Sequence, residues 1–297
     1  MNIAVKLETA RVPCGNRSII RAAPILETGL RVSALLRRGR GAIPRFLAWH
    51  LLRDSLYETR LPQGFTMLWD KASVDMLALL RAEGGWDENV RNALIKFLRP
   101  GQVLYDVGAN AGYMSLSVAA AVPDARVYAF EPIPDLAQAI AASANANGFD
   151  RLEAFNAALS SCTSIIDLHL TTHTIHASMV ARAEGARRLR VQAFALDELI
   201  AANALPPPHM IKIDVEGAEA LVFEGGKKTL ATHHPCLVFE CDDNALRFGH
   251  SPKSILVMLQ NLGYDSFEVF SKEDGNLIQC SDFTSSPYGD FVVSKLA

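Results

Sequence analysis

The sequence predicts an α/β fold: a doubly wound, mostly parallel sheet covered on both faces by helices and preceded by an N-terminal extension. Three observations carry this expectation. From about residue 100 onward, short apolar runs alternate with helical patterns, the order that builds parallel strands joined by crossover helices. The 297 residues, 49% hydrophobic and 21% charged, suffice for one large core and exclude disorder, collagen-like repeats and coiled coil. The first strand runs into a glycine-bearing turn that opens a helix, the place where open parallel sheets hold their ligands.

Residues 1–60 carry 11 Lys and Arg against 4 Asp and Glu, in a chain whose net charge is −3. Up to about residue 41 the apolar residues keep no period, and Pro13, Pro24, Gly29 and Gly39 punctuate the stretch, which is expected to be poorly structured. Over 44–59, Phe46, Trp49, Leu52 and Leu56 recur at three- and four-residue spacing and predict an amphipathic helix. Such a helix more often covers the flank of its own domain than lies on a membrane surface. The expected organisation is therefore a basic extension over 1–60, partly disordered and then helical, and one domain over 61–297.

A helix starting near Asp87 as N-cap should bury Val90, Leu94, Phe97 and Leu98 before Pro100-Gly101 stops it. Strands are expected at 103–107, 126–130, 153–157, 210–215, 236–240, 266–270 and 291–294, and helices at 112–121, 134–147, 218–232 and 252–262. An added strand pair, 165–170 and 189–195, brackets a polar loop at 171–188.

The five cysteines, Cys14, Cys162, Cys236, Cys241 and Cys280, form no Cys-x-x-Cys pair and indicate reduced thiols in a cytoplasm. No apolar run approaches the roughly 20 residues that span a bilayer, and the first twenty residues lack a signal-peptide core. A cytoplasmic location is expected. Residues 61–297 are acidic, which disfavours a nucleic-acid partner.

The segment Asp106-Val107-Gly108-Ala109-Asn110-Ala111-Gly112 combines glycines that permit a tight turn with a following helix whose free N–H groups favour anions. It departs from the dinucleotide fingerprint, because Asn110 stands where a second glycine is needed and Asp106 would repel a pyrophosphate. S-adenosylmethionine, with its sulfonium and ammonium, suits this charge. The turn N–H groups would hold its carboxylate and Asp106 its ammonium, directly or through water. Glu131, at the end of the next strand, suits the ribose hydroxyls. A nicotinamide dehydrogenase and a non-catalytic binding protein retaining the cleft are the competing readings.

The blocks VLYDVGANAGYMSLSVAA, VYAFEP, FNAALS, FALDEL, IKIDVEGAEALVFEGG and PCLVFE, in this order over roughly residues 85–270, resemble the FkbM family of S-adenosylmethionine-dependent methyltransferases. The resemblance implies a seven-stranded class I methyltransferase fold and transfer of a methyl group to an oxygen, often of a sugar or other metabolite. It assigns Asp106, Gly108, Ala109, Asn110 and Gly112 to the methionine end of the cofactor, Glu131 to the ribose, and Asn156, Ala157 and Ala158 to the region of the adenine.

An alcohol acceptor must lose its proton, so a base is needed within hydrogen-bond reach. Asp214 and Glu216 are catalytic candidates. Lys212 either acts with them or makes a buried structural ion pair, and His176 is the histidine candidate. Glu240 and His173 are expected on the acceptor side. The carboxylates Asp214, Glu216, Glu240 and Asp242 leave Mg2+ as an option, but no metal site is predicted. The groups His169-His173-His176 and His233-His234-Cys236 lack a zinc-binding spacing. The expected partner is a hydroxylated small molecule or glycan; oligomeric state is left open.

Overall fold

The computed structural model describes residues 2–296 except 14, 16, 22–24, 27, 31–46, 48–49, 53–54, 72, 171–176, 179–186 and 284–287. The central sheet contains β1 (Val103–Val107), β2 (Arg126–Phe130), β3 (Leu152–Phe155), β4 (Met210–Ile213), β5 (Cys236–Cys241), β6 (Ser266–Phe270) and β7 (Gly289–Ser294). Their spatial order is β3-β2-β1-β4-β5-β7-β6, with the short strand Leu277–Gln279 added outside β6. The strands from β3 to β5 are parallel, while β7 runs antiparallel to both neighbours. The connections reverse direction between β1 and β4, so the crevice at their carboxyl ends is the topological switch point.

Side-chain alternation divides the core into two layers. Leu104, Val127, Ala129, Met210 and Val238 face the helices Tyr113–Ala121 and Pro134–Asn147 through Leu116 and Ile140. Tyr105, Phe130, Ile211 and Phe239 join Phe223, Leu230 and Leu256 of the helices Glu219–Gly225, Lys227–His233 and Pro252–Asn261 on the other face. Burial on both faces explains why the parallel strands read as continuous apolar runs. Pro134 starts one helix and Gly148, at φ 68°, ends it. Ser251 and Ser254 close a reciprocal cap ahead of another.

The helix expected over 218–232 is two helices meeting at Gly226, where a Cβ would lie 2.9 Å from Leu196 Cδ2. The Asp87 backbone sits at φ 42° and its side chain makes no capping bond to the helix Glu88–Phe97. The added strand pair is present as Ser164–Leu170 against antiparallel Arg187–Phe194.

The N-terminal region departs most from expectation. Residues 3–10 form a helix, and the segment after it joins the free edge of β3: Val12 N–H donates to Ala154 O and Asn156 N–H to Ala10 O, while Arg11 pairs with Glu153 at 3.0 Å. Apolar periodicity did not reveal this segment because backbone pairing on a sheet edge holds it. Leu56–Arg60 is a strand, not the end of a helix, and forms an antiparallel hairpin with Thr66–Trp69 across the expected boundary at 60/61. The hairpin lies on the helix Pro134–Asn147, where Leu68 N–H donates to Ser143 Oγ and Thr66 N–H to Asn147 Oδ1, both at 2.8 Å. Leu56 fits a helical spacing, but Tyr57 and Thr59 beside it favour a strand packed on a surface. Phe46 and Trp49 lie outside the described residues. Among the described residues no helix is long and apolar enough to cross a membrane.

Candidate active site

A cavity of about 360 Å³ opens at the carboxyl ends of β1, β2, β4 and β5, beside β7. This volume falls within the usual range for small-molecule sites. Its walls include Gly108, Asn110, Glu131, Lys212, Asp214 and Glu240, which β-strand ends deliver from separate parts of the sequence.

The turn after β1 needs its unusual backbone. Gly108 has φ 75° and Asp214 O stands where its Cβ would be; Asn110 takes φ 52°, a conformation its side-chain type tolerates. Gly108 and Ala109 N–H both donate to Phe130 O, and Asn110 N–H donates to Glu131 Oε2 at 2.8 Å. These three donors are thus engaged within the chain, contrary to the expectation that they face a ligand carboxylate. Gly112 lies behind the wall, where a Cβ would come within 2.8 Å of Ile140.

Glu131 is 4% exposed and ties two turns together, its other oxygen accepting from Ile133 N–H at 2.8 Å. Burial pushes its carboxyl up to about 7, against the two backbone hydrogen bonds and the charge of Lys212 that favour ionisation. Each oxygen retains a second lone pair for a hydroxyl donor. Asn156 acts from outside the cavity, its amide donating to Glu131 O and Pro132 O at 3.2 and 2.8 Å. Ala157 is also behind the wall, and Ala158 and Leu159 supply the lining beyond β3.

Asp106 is fully buried and does not line the cavity. Its Oδ2 accepts from Ser115 Oγ at 2.6 Å, and its Oδ1 is 3.2 Å from Lys212 Nζ. That contact is an ion pair without hydrogen-bond alignment at Oδ1. Register creates it, because Asp106 on β1 is the Cα partner of Lys212 on β4. Asp106 therefore does not face the cavity directly, and its charge is opposed by Lys212. Lys212, 6% exposed, also donates to Gly108 O at 2.9 Å and lies 3.6 Å from Asp214 Oδ2. Burial would lower its pKa, but Asp106 and Asp214 outweigh that and hold the ammonium above the usual lysine range.

The turn after β4 brings Asp214 and Glu216 to the cavity, Glu216 at φ 59°. Buried Glu219 holds this turn, accepting from Val215 and Gly217 N–H on one oxygen, both at 3.1 Å. Gly217, at φ 102°, abuts the Asn244 backbone too closely to admit a Cβ. Glu240 lines the same space from the end of β5; burial and then the charges of Asp214, Asp242, Asp290 and Glu216 push it up to about 8. Asp290 of β7 is pushed up to about 7 by burial, followed by Asp87 and Asp214.

Asp87, Trp86 and Asp290 were not among the sequence candidates, although all three line the cavity. Asp290 precedes an apolar strand that reads as core, and Asp87 reads as a helix cap. Glu219 was missed too; its signal was its place two residues after Gly217, at the start of a helix. His173 and His176 lie outside the described residues. Among the described residues no group of three or more His, Cys, Asp or Glu is arranged to hold a metal ion.

A model of the methyltransferase FkbM domain matches residues 106–266. The hexuronic acid methyltransferase AglP of Haloferax volcanii is 25% identical over 196 residues, 66% of this chain and 77% of the relative. The 2-O-methyltransferase NoeI of Sinorhizobium fredii is 28% identical over 191 residues, 59% of this chain and 75% of the relative. The crystal structure of methyltransferase FkbM from Methylobacillus flagellatus aligns with a TM-score of 0.41 at 14% identity, covering 88% of this chain and 62% of that one.

Proposed function

The chain belongs to the FkbM family of S-adenosylmethionine-dependent methyltransferases, and from that premise we propose that it methylates a hydroxyl of a sugar-like small molecule or glycan. One observation carries the reading: Asp214, Glu216, Glu240 and Asp290 converge, from three strand ends, on the cavity that the glycine turn and Glu131 also line. The names of the relatives, a hexuronic acid methyltransferase and a 2-O-methyltransferase, support an oxygen on a sugar-like acceptor.

The cavity suits S-adenosylmethionine in charge. Lys212 is the single basic side chain among the described lining residues, and its ammonium is already opposed by Asp106. A net-positive adenosyl compound is favoured there, whereas a pyrophosphate would meet carboxylates on several sides. Bound in this cleft, the cofactor supplies an electrophilic methyl group on a sulfonium.

The chain's own residues do the rest. Glu131 accepts the ribose hydroxyls on the lone pairs left over from its backbone bonds. Gly108 and Asn110 give the methionine end close approach to the backbone, and Ala158 and Leu159 bound the side reached from β3. Lys212 is a positioning residue that pins Gly108 O and Asp214, joining the turn after β1 to the turn after β4. Glu240 takes the acceptor proton: a carboxylate whose pKa lies near the working pH is a better base than an ordinary one. Asp214 and Glu216 hold and align the hydroxyl for in-line attack, a contribution of several kcal/mol in well-oriented systems.

The test is transfer of isotopically labelled methyl from S-adenosylmethionine to a panel of hydroxylated glycosides and metabolites. The reading expects a methyl ether in the product and S-adenosylhomocysteine in equal amount. Methyl transfer confined to nitrogen or carbon acceptors would overturn it.

A further inference from the structure

Part of the cavity wall comes from outside the segment that matches the family. Trp86 and Asp87 precede that segment and Asp290 follows it, yet all three line the same space as Asp214 and Glu240. Trp86 is half-buried and Asp87 is exposed. Asp87 and Asp290 are near enough for the charge of one to bear on the other.

The turn that carries Trp86 is fixed in place. The Tyr113 hydroxyl donates to Glu88 Oε1 at 2.6 Å and accepts from Gln63 Nε2 at 2.9 Å. Gln63 Nε2 also reaches Gly84 O at 3.3 Å. Glu88 Oε1 stands where a Cβ on Gly85 would be. An aromatic ring and a carboxylate are thus presented on a preorganised support, as a binding site requires.

We propose that Trp86 and Asp87, together with Asp290, form the acceptor-binding end of the cleft and receive the ring of an uncharged pyranose. The proposal rests on the methyltransferase reading and names the acceptor class for that same cavity. The face of an indole carries a negative quadrupole that attracts the mildly positive C–H face of a sugar ring, and its rigidity keeps the entropy cost of binding low. Carboxylates act only as acceptors, which matches a ligand whose polar groups are hydroxyl donors. A sugar bearing its own carboxylate would meet an acidic wall that includes Asp87, Asp214 and Glu216, with the one lining lysine already paired.

The experiment compares the full-length wild type with Trp86→Ala, Trp86→Phe and Asp87→Asn. The probes are neutral p-nitrophenyl hexosides and p-nitrophenyl glucuronide as methyl acceptors, with S-adenosylhomocysteine affinity measured separately by calorimetry. Trp86→Ala should raise KM for the preferred neutral hexoside by about tenfold or more, the loss of a binding hot spot. The change should fall on KM rather than kcat, and S-adenosylhomocysteine affinity should stay within about twofold, since Glu131 and the Gly108 turn, the residues given to the cofactor, are unaltered. Trp86→Phe, which keeps an aromatic face, should recover most of the loss. An unchanged KM in Trp86→Ala, a parallel loss of S-adenosylhomocysteine affinity, or preference for the glucuronide would overturn the proposal. A wild type that binds S-adenosylhomocysteine but methylates no glycoside also overturns it and leaves the cofactor reading standing. A wild type that binds no S-adenosylhomocysteine refutes the underlying reading itself.

Discussion

Glu240 stands at the end of β5 among carboxylates that oppose its ionisation, and two outcomes follow at the residue scale. Glu240→Gln should lower kcat by about 100-fold or more, the usual contribution of a positioned base, while S-adenosylhomocysteine affinity stays within about twofold; equal kcat would remove Glu240 from the reaction. The second outcome concerns stability. Glu131 and Asp290 at about 7, Glu219 at about 7 and Glu240 at about 8 all titrate above their ordinary values of 4.5 for Glu and 3.8 for Asp. The folded chain therefore binds more protons than the unfolded chain across that window, so these groups make stability fall as pH rises from about 4.5 to about 8. Melting of the ligand-free protein, followed across this range at constant ionic strength, should show that decline from these four groups. The decline should be smaller in Glu240→Gln; identical slopes in the two proteins would contradict the assignment. The raised carboxyls were not legible, because each depends on neighbours that only folding brings together.

At the scale of elements, strand register decides which charges meet. Asp106 and Lys212 are 106 residues apart in number and adjacent across β1 and β4. Their pairing engages Asp106, which the sequence reading gave to a ligand ammonium, and gives Lys212 the buried ion pair that was one of its two expected roles. Lys212→Met leaves the fully buried Asp106 without its cation and should cost about 3–5 kcal/mol of stability, measured by denaturant unfolding. Asp106→Asn combined with Lys212→Met should recover part of that loss, because the uncompensated charge is gone. A single variant as stable as wild type would contradict the buried pair. The seven strands of the central sheet were readable because burial on both faces leaves apolar runs, while the helix Leu196–Ala201, the strand Leu277–Gln279 and the break at Gly226 were not. Leu56–Arg60 misled because a spacing of three or four suits both a helix and scattered core residues, and the partner strand Thr66–Trp69 decides between them. Glu219 and Asn156 illustrate the same limit within the site. Each works by hydrogen-bonding a turn from behind, and no composition signal marks such a role.

For the whole molecule, the family segment supplies most of the cavity wall, while flanking sequence completes it. The N-terminal segment closes the β3 edge and meets Asn156, which in turn braces the Glu131 turn. Trp86, Asp87 and Asp290 add wall from both ends of the chain. The glycine turn and Glu131 stand out in the sequence because they combine rare residue types at strand ends, and Gly108, Asn110 and Glu131 line the cavity, whereas the flanking wall has no such signature. A crystal structure of the complex with S-adenosylhomocysteine tests the placement of the adenosyl compound most directly. It should show the ribose hydroxyls on Glu131, the amino-acid end against the Gly108 turn, and the sulfur facing the space between Asp214 and Glu240. The same ligand lodged away from Glu131, or with its sulfur turned from those carboxylates, would contradict it.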